Sequence, residues 1–169
     1  MRIIIIGNSG SGKTWLARLL SEKFHLQAVH LDNIFWEPGG FDVKRPKNEV
    51  YRMINEEIGR DKWIVEGVFG ELAQMCLGRA LLLIWLDIPW DVCKQRLENR
   101  GSESKMHMGR VEHEDGLKKL IKWASEYEIR TDMRSRIGHS MIYENYKYEK
   151  YRVDNNDELL KVINRLSRG

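Results

Sequence analysis

Residues 3–14 read IIIIGNSGSGKT, and within them Gly7, Gly12, Lys13 and Thr14 fit the spacing G-x-x-x-x-G-K-[ST] directly after an apolar run. That spacing does one kind of chemistry. Glycines at 7, 10 and 12 let backbone N–H groups turn inward around an anion, and a helix starting near Lys13 aims its positive end at the same place. Asn8, Ser9 and Ser11 complete the loop, so residues 7–14 are expected to cradle a nucleoside triphosphate. Lys13 is expected to reach the β- and γ-phosphates, with the Thr14 hydroxyl ligating Mg²⁺.

Such a loop needs a carboxylate nearby, at the C-terminal end of a neighbouring strand. Three acids stand in that position: Asp32 after AVHL, Glu66 in WIVEG, and Asp87 after LLLIWL. Asp87 resembles a metal-directed acid by the hydrophobicity before it, but Asp87-Ile88-Pro89 suits the start of a helix equally well. Asp32 leads into a long loop and is expected to face a second substrate. Cations are also required, because phosphoryl transfer is mainly charge stabilisation. Arg96 and Arg100 lie one helical turn apart, and Arg130, Arg134 and Arg136 cluster further on. Arg45 and Arg52 could hold the anionic group of an acceptor; the alternative, favoured for these two, is a solvated surface charge, the usual fate of arginine. The five histidines show no metal-ligand spacing.

The elements that must carry these groups alternate between short apolar runs and helical patterns, which indicates a parallel sheet with crossover helices. Strands are expected at Arg2–Ile6, Ala28–Leu31, Trp63–Val65, Ala80–Leu86 and Tyr148–Val153. Helices are expected at Lys13–Phe24, from Pro46 through Ile58, from Pro89 to about Asn99, at Leu117 to about Glu128, at Asp132–Tyr146 and at Asp157–Leu166. The stretch Asp32–Lys47, with Pro38, Gly39, Gly40 and Pro46, reads as loop. Gly101–Gly116 is polar and without period, the best candidate for a mobile lid.

A chain of 169 residues fits one domain, and a formal charge of +3 does not by itself imply a nucleic-acid partner. Cys76 and Cys93 have neither CxxC nor metal spacing and are expected as small buried hydrophobes in a reducing cytosol. No apolar run is long enough for a signal-peptide core or a bilayer span, so the expected location is the cytoplasm, with no membrane partner. The run MIYENYKYEKYR interleaves tyrosines with Lys147, Lys150 and Arg152, a pattern compatible with single-stranded nucleic acid. A helix ending in an edge strand explains it as well, and Glu144 and Glu149 dilute its charge.

With these residues in place, the chain resembles the adenylate-kinase-like group of phosphate-loop kinases. More closely, it resembles the bacterial DNA topology modulation proteins of that group. The matching stretches are GNSGSGKT, HLDNIFWEPGGF, WIVEG and IWLDIPWDVCKQRLENR, in the family's order across roughly the first hundred residues. The resemblance implies that Lys13 and Thr14 bind triphosphate and Mg²⁺, and that Glu66 matches the acid holding Mg²⁺ through water. It also implies that Arg96 and Arg100 flank the adenine and phosphates, and that Asp32 is the acceptor-side acid. Adenylate kinases carry Asp-Gly-Phe-Pro-Arg where this chain reads EGVFG, which moves the acceptor away from AMP. The suspected lid has no zinc cysteines.

The expected architecture is a three-layer α/β phosphate-loop NTPase domain spanning 1–169, with a parallel sheet of about five strands and a helical lid. An acceptor-binding insertion is expected at about 33–60 and the lid at about 101–130. The expected function is ATP- and Mg²⁺-dependent phosphoryl transfer to a small acceptor, with a nucleoside or nucleotide among the candidates. In it Lys13, Asp32, Arg100 and Arg130 take catalytic roles, Arg96 binds nucleotide beside the loop, and Thr14 and Glu66 serve the metal. The alternative is a nucleotide-binding regulator acting on DNA without small-molecule kinase activity. A switch GTPase is disfavoured, because neither N-K-x-D nor D-x-x-G occurs.

Overall fold

Four consecutive isoleucines organise the molecule. In a strand, successive side chains point to opposite faces. Ile4 and Ile6 of β1 (Arg2–Gly7) therefore enter one buried cluster while Ile3 and Ile5 enter another. Only a strand covered on both faces reads this way. In the computed structural model, which describes residues 1–168 apart from 40, 42 and 101–113, β1 is the middle of five. The others are β2 (Ala28–His30), β3 (Trp63–Gly67), β4 (Leu82–Leu86) and β5 (Glu149–Val153). Their order is β2-β3-β1-β4-β5 and every pairing is parallel.

Helices cover both faces. On one side α1 (Lys13–Phe24) and α8 (Asn156–Leu166) bury Leu16, Leu20, Leu159 and Val162 against Ile3, Ile5 and Ile84. On the other, α3 (Lys47–Ile58), α4 (Gly70–Leu77) and α7 (Arg136–Asn145) bury Val50, Ile54, Leu72 and Ile142 against Ile4, Ile6 and Trp85. The remaining helices are α2 (Leu31–Phe35), α5 (Trp90–Arg100) and α6 (Glu114–Ser125). The three layers and five parallel strands are those expected from the sequence. Cys76 and Cys93 are buried and unpaired, and burial pushes their thiols up to about 12 and about 11. Among the described residues, no helix is long and apolar enough to cross a membrane.

Several boundaries differ from expectation. Leu31 and Asp32 open α2 instead of ending a strand, so the stretch expected as loop begins with a helical turn. An antiparallel bridge from Trp36 to Lys44 closes the chain that follows. β4 starts at Leu82 rather than Ala80. Helix α4 was not expected at all; its Leu72, Ala73 and Cys76 form an apolar face, but Gly70 at its start masks the pattern. Helix α6 begins at Glu114, inside the stretch expected as lid. The rest of that expected lid, 101–113, lies outside the described residues. Helix α7 starts four residues later than expected, where the Ser135 hydroxyl accepts from the Gly138 N–H and caps it.

Candidate active site

Because all five strands run the same way, their C-terminal ends gather the loops that leave them. The strand order reverses beside β1, where Gly7 pairs with Leu86. Ligands in open α/β sheets bind at such a switch. Residues 8–12 form the turn there, and two glycines make it possible. Gly10 has φ +80° and a Cβ on it would stand 2.5 Å from the Cys93 carbonyl oxygen; Gly12 has φ +100° at the N-terminus of α1. Lys13 is only 9% exposed, and its Nζ donates across the loop to the Asn8 carbonyl at 2.8 Å. The Ser11 hydroxyl is buried inside the turn without a hydrogen-bond partner among the described residues. A turn of backbone N–H groups, a lysine bent over it and an orphaned hydroxyl suit an anionic ligand of phosphate type.

The loop is held from two sides. Asn8 Nδ2 donates to the Ala124 carbonyl at the C-terminal end of α6 (2.9 Å), while its Oδ1 accepts from the Ser9 N–H (2.8 Å). Arg96 on α5 donates to the Ser11 carbonyl (3.0 Å) and to Asn156 Oδ1 (3.1 Å), linking the loop to the first residue of α8.

Glu66 lies beneath the loop, 2% exposed. It registers with Ile5 on β1 and with His30 on β2. Thr14 Oγ1 donates to its Oε1 at 3.0 Å, and His30 Nδ1 donates to the same oxygen at 2.6 Å. Burial pushes this carboxyl up. The His30 hydrogen bond, the Lys13 and His30 charges and the Thr14 hydroxyl outweigh it, so Glu66 sits below the ordinary carboxylate value. His30 is raised, first by its hydrogen bond to Glu66, against burial, and further by the charges of Glu66 and Asp32. Asp32, in the first turn of α2, is thus near enough for its charge to act on His30. Thr14 and Glu66 are hard oxygen ligands of the kind Mg²⁺ takes alongside phosphates and water. Among the described residues no group of three or more His, Cys, Asp or Glu side chains could hold a metal by itself.

The arginines after α6 have different partners. Arg134 donates to Glu71 through Nε (2.7 Å) and Nη2, and lies over the Phe35 and Phe69 rings at 4.5 Å. Arg136 forms a two-pronged pair with Asp87 (2.9 and 2.8 Å), and Arg152 reaches the same carboxylate from β5. Asp87 is thus buried between two guanidinium groups, as a structural ion pair rather than an acid presented to the loop. Arg130 differs. Its side chain is 12% exposed and stacks on Trp123 at 3.7 Å, with Nη2 donating to the Arg134 carbonyl. Its Nε and Nη1 are buried with no hydrogen bond among the described residues, and the Asp132 carboxylate stands 3.9 Å from Nε. Arg100 ends α5, and its side chain lies outside the described residues.

Of the expected site residues, Gly7–Thr14, Glu66 and Arg96 are brought together at the loop, and Asp32 lies close enough to His30 for its charge to be felt there. Arg45 pairs with Glu37 and Glu49, and Arg52 with Glu56. In the tyrosine-rich run, Tyr146 is buried, Tyr143 packs on Trp85, and Lys150 and Arg152 are bonded, leaving Tyr148 exposed. Sequence reasoning missed His30. Nothing local marks it; its link to Glu66 exists only through the β2–β3 register.

No protein-family model and no curated protein matches the chain. Among solved structures it is similar over 99% of its length to a shikimate kinase from Bacteroides thetaiotaomicron, 96% of which is covered, with TM-score 0.56 and 18% identity. The YorR protein from Bacillus subtilis, in complex with phosphorylated GDP, matches with TM-score 0.56 and 16% identity over 99% of this chain and 96% of that one. A gluconokinase from Sinorhizobium meliloti matches with TM-score 0.51 and 14% identity over 99% and 93%. At such identities the likeness is one of fold: an α/β P-loop kinase fold.

Proposed function

We propose that this chain is a P-loop kinase that transfers the γ-phosphoryl group of ATP to a hydroxyl or phosphate oxygen of a small acceptor, a nucleoside or nucleotide. The observation that carries this reading is the Thr14–Glu66 pair directly under a glycine turn spanned by Lys13. The fold of small-molecule kinases supports it.

In this mechanism the backbone N–H groups of 8–14 and Lys13 hold the triphosphate, exchanging the Asn8 carbonyl for phosphate oxygens at Nζ. Thr14 directly, and Glu66 through water, would hold Mg²⁺, which when bound neutralises charge on the phosphate oxygens. Arg96 fixes the loop from the α5 side. Asp32 orients a hydroxyl acceptor and takes its proton as its oxygen attacks phosphorus and the bond to the β-phosphate oxygen breaks. Arg130, with two buried donors that have no hydrogen bond among the described residues, and Arg100 stabilise the spreading charge.

The test is incubation with γ-labelled ATP and Mg²⁺ against a panel of nucleosides, nucleotides and sugar acids. We expect label transfer to one chemical class, and its loss in Lys13→Ala with an unchanged circular dichroism spectrum. Normal turnover in that variant would overturn the mechanism. Retention on DNA with a steep salt dependence, and no labelled product, would replace the reading with a DNA-acting regulator.

A further inference from the structure

A buried carboxylate bonded to one hydroxyl can still turn about its last side-chain torsion, and a turned carboxylate presents the wrong oxygen to whatever the loop binds. Glu66 is not left in that state. His30 Nδ1, 2.6 Å away, and Thr14 Oγ1, 3.0 Å away, meet the same Oε1 from two different elements: one from the end of β2, the other from the first turn of α1. The pairing is built into the sheet, because His30 and Glu66 are register partners on adjacent parallel strands. The Glu66 carboxylate can only accept, so the proton in the short contact belongs to His30 Nδ1. His30 keeps about a fifth of its side chain exposed, at the sheet edge where Asp32 follows it.

We propose that His30 is a positioning residue for this site: its Nδ1–H fixes the rotation of the Glu66 carboxylate, and thereby the hold of Thr14 and Glu66 on a divalent cation bound with nucleoside triphosphate. The inference rests on the reading of Glu66 as the metal-directed acid. Outer partners that orient a ligating carboxylate commonly change metal affinity 10- to 100-fold when removed.

Two variants separate this role from mere packing. His30→Ala removes the donor; His30→Asn returns an N–H close to where Nδ1 stood. The probe is Mn²⁺ titrated, by electron paramagnetic resonance, into the full chain saturated with a non-hydrolysable imido analogue of ATP. We expect Mn²⁺ affinity to fall at least about tenfold in His30→Ala and to return to within a few-fold of wild type in His30→Asn. Equal affinity in wild type and His30→Ala, or no recovery in His30→Asn, would overturn the inference. The ¹⁵N shifts of the His30 ring supply a metal-free readout: above neutral pH the proton should sit on Nδ1, and a ring protonated on Nε2 alone would also overturn it. Should wild type bind neither Mn²⁺ nor the analogue while the Nδ1 proton is present, the kinase reading fails and the Glu66 pairing stands apart from it.

Discussion

The three arginines that follow α6 are chemically identical and only their neighbours distinguish them. Arg134 spends its guanidinium on Glu71 and two phenylalanine rings, and Arg136 spends its own on Asp87. Arg130 keeps Nε and Nη1 buried without a hydrogen bond among the described residues, and burial pulls its pKa down although Asp132 and Glu126 oppose that. An arrangement that costs free energy at rest is suited to a ligand whose charge grows during reaction. Replacing Arg130 by Met retains the length over Trp123 and removes the charge. We expect kcat to fall about 10²- to 10³-fold with KM for ATP changed only a few-fold. A rise in KM with kcat intact would assign Arg130 to ground-state binding. The sequence singles out Arg130 as catalytic without showing what separates it from the other two, since Glu71 and Asp87, which occupy Arg134 and Arg136, lie 63 and 49 residues away.

At the scale of elements, the turn that carries Arg134 is wedged between two glycines. A Cβ on Gly70, the first residue of α4, would lie 1.9 Å from the Met133 carbonyl oxygen, and one on Gly138 of α7 would lie 2.5 Å from that of Asp132. Both obstacles are backbone, so neither can step aside by changing rotamer. Gly70→Ala should therefore lower stability by about 1–3 kcal/mol in urea denaturation and loosen the Arg134–Glu71 pair next to it. An unchanged midpoint would mean that the turn shifts freely. The same glycine explains a gap in what the sequence discloses. The β1 isoleucines and the helical spacing of Leu16, Leu20, Leu159 and Val162 state the layers plainly, because burial on both faces writes itself into local pattern. α4 starts on a glycine and runs for only eight residues, so its apolar face is too short to stand out. The loop residues of the site are legible because phosphate chemistry demands their order, whereas the His30–Glu66 pair depends on which strands are neighbours, and strand order has no local signature.

For the molecule as a whole, a chain of buried hydrogen bonds ties the sheet to the helices that border the site. Trp85 Nε1 on β4 donates to the Tyr127 hydroxyl (3.2 Å), which meets His139 Nδ1 (2.7 Å), while His139 Nε2 meets the Val68 carbonyl (3.0 Å), two residues beyond Glu66. A carbonyl only accepts, so the proton is on Nε2, and Nδ1 accepts from Tyr127. Protonating Nδ1 would put a proton against one already on Tyr127, at a site with no exposure. Burial accordingly pushes His139 down to about 4; the Val68 bond and the Asp87 charge oppose this, and the Lys13 and Arg130 charges add to it. In the unfolded chain the same imidazole titrates near 6.5. Between those values the unfolded state binds the extra proton and the folded state does not, so this contribution is complete above about pH 6.5 and is lost as pH falls toward about 4. The cost reaches about 2 kcal/mol at pH 5. Urea denaturation of wild type at pH 7.5 and pH 5 should show that loss in addition to any contribution from other groups. His139→Gln, less stable at pH 7.5 because Tyr127 loses its acceptor, should show a smaller difference between the two pH values. Equal differences in the two proteins would mean that the acid sensitivity of the fold resides in some other group, and that the Trp85–Tyr127–His139 chain accommodates a proton without strain.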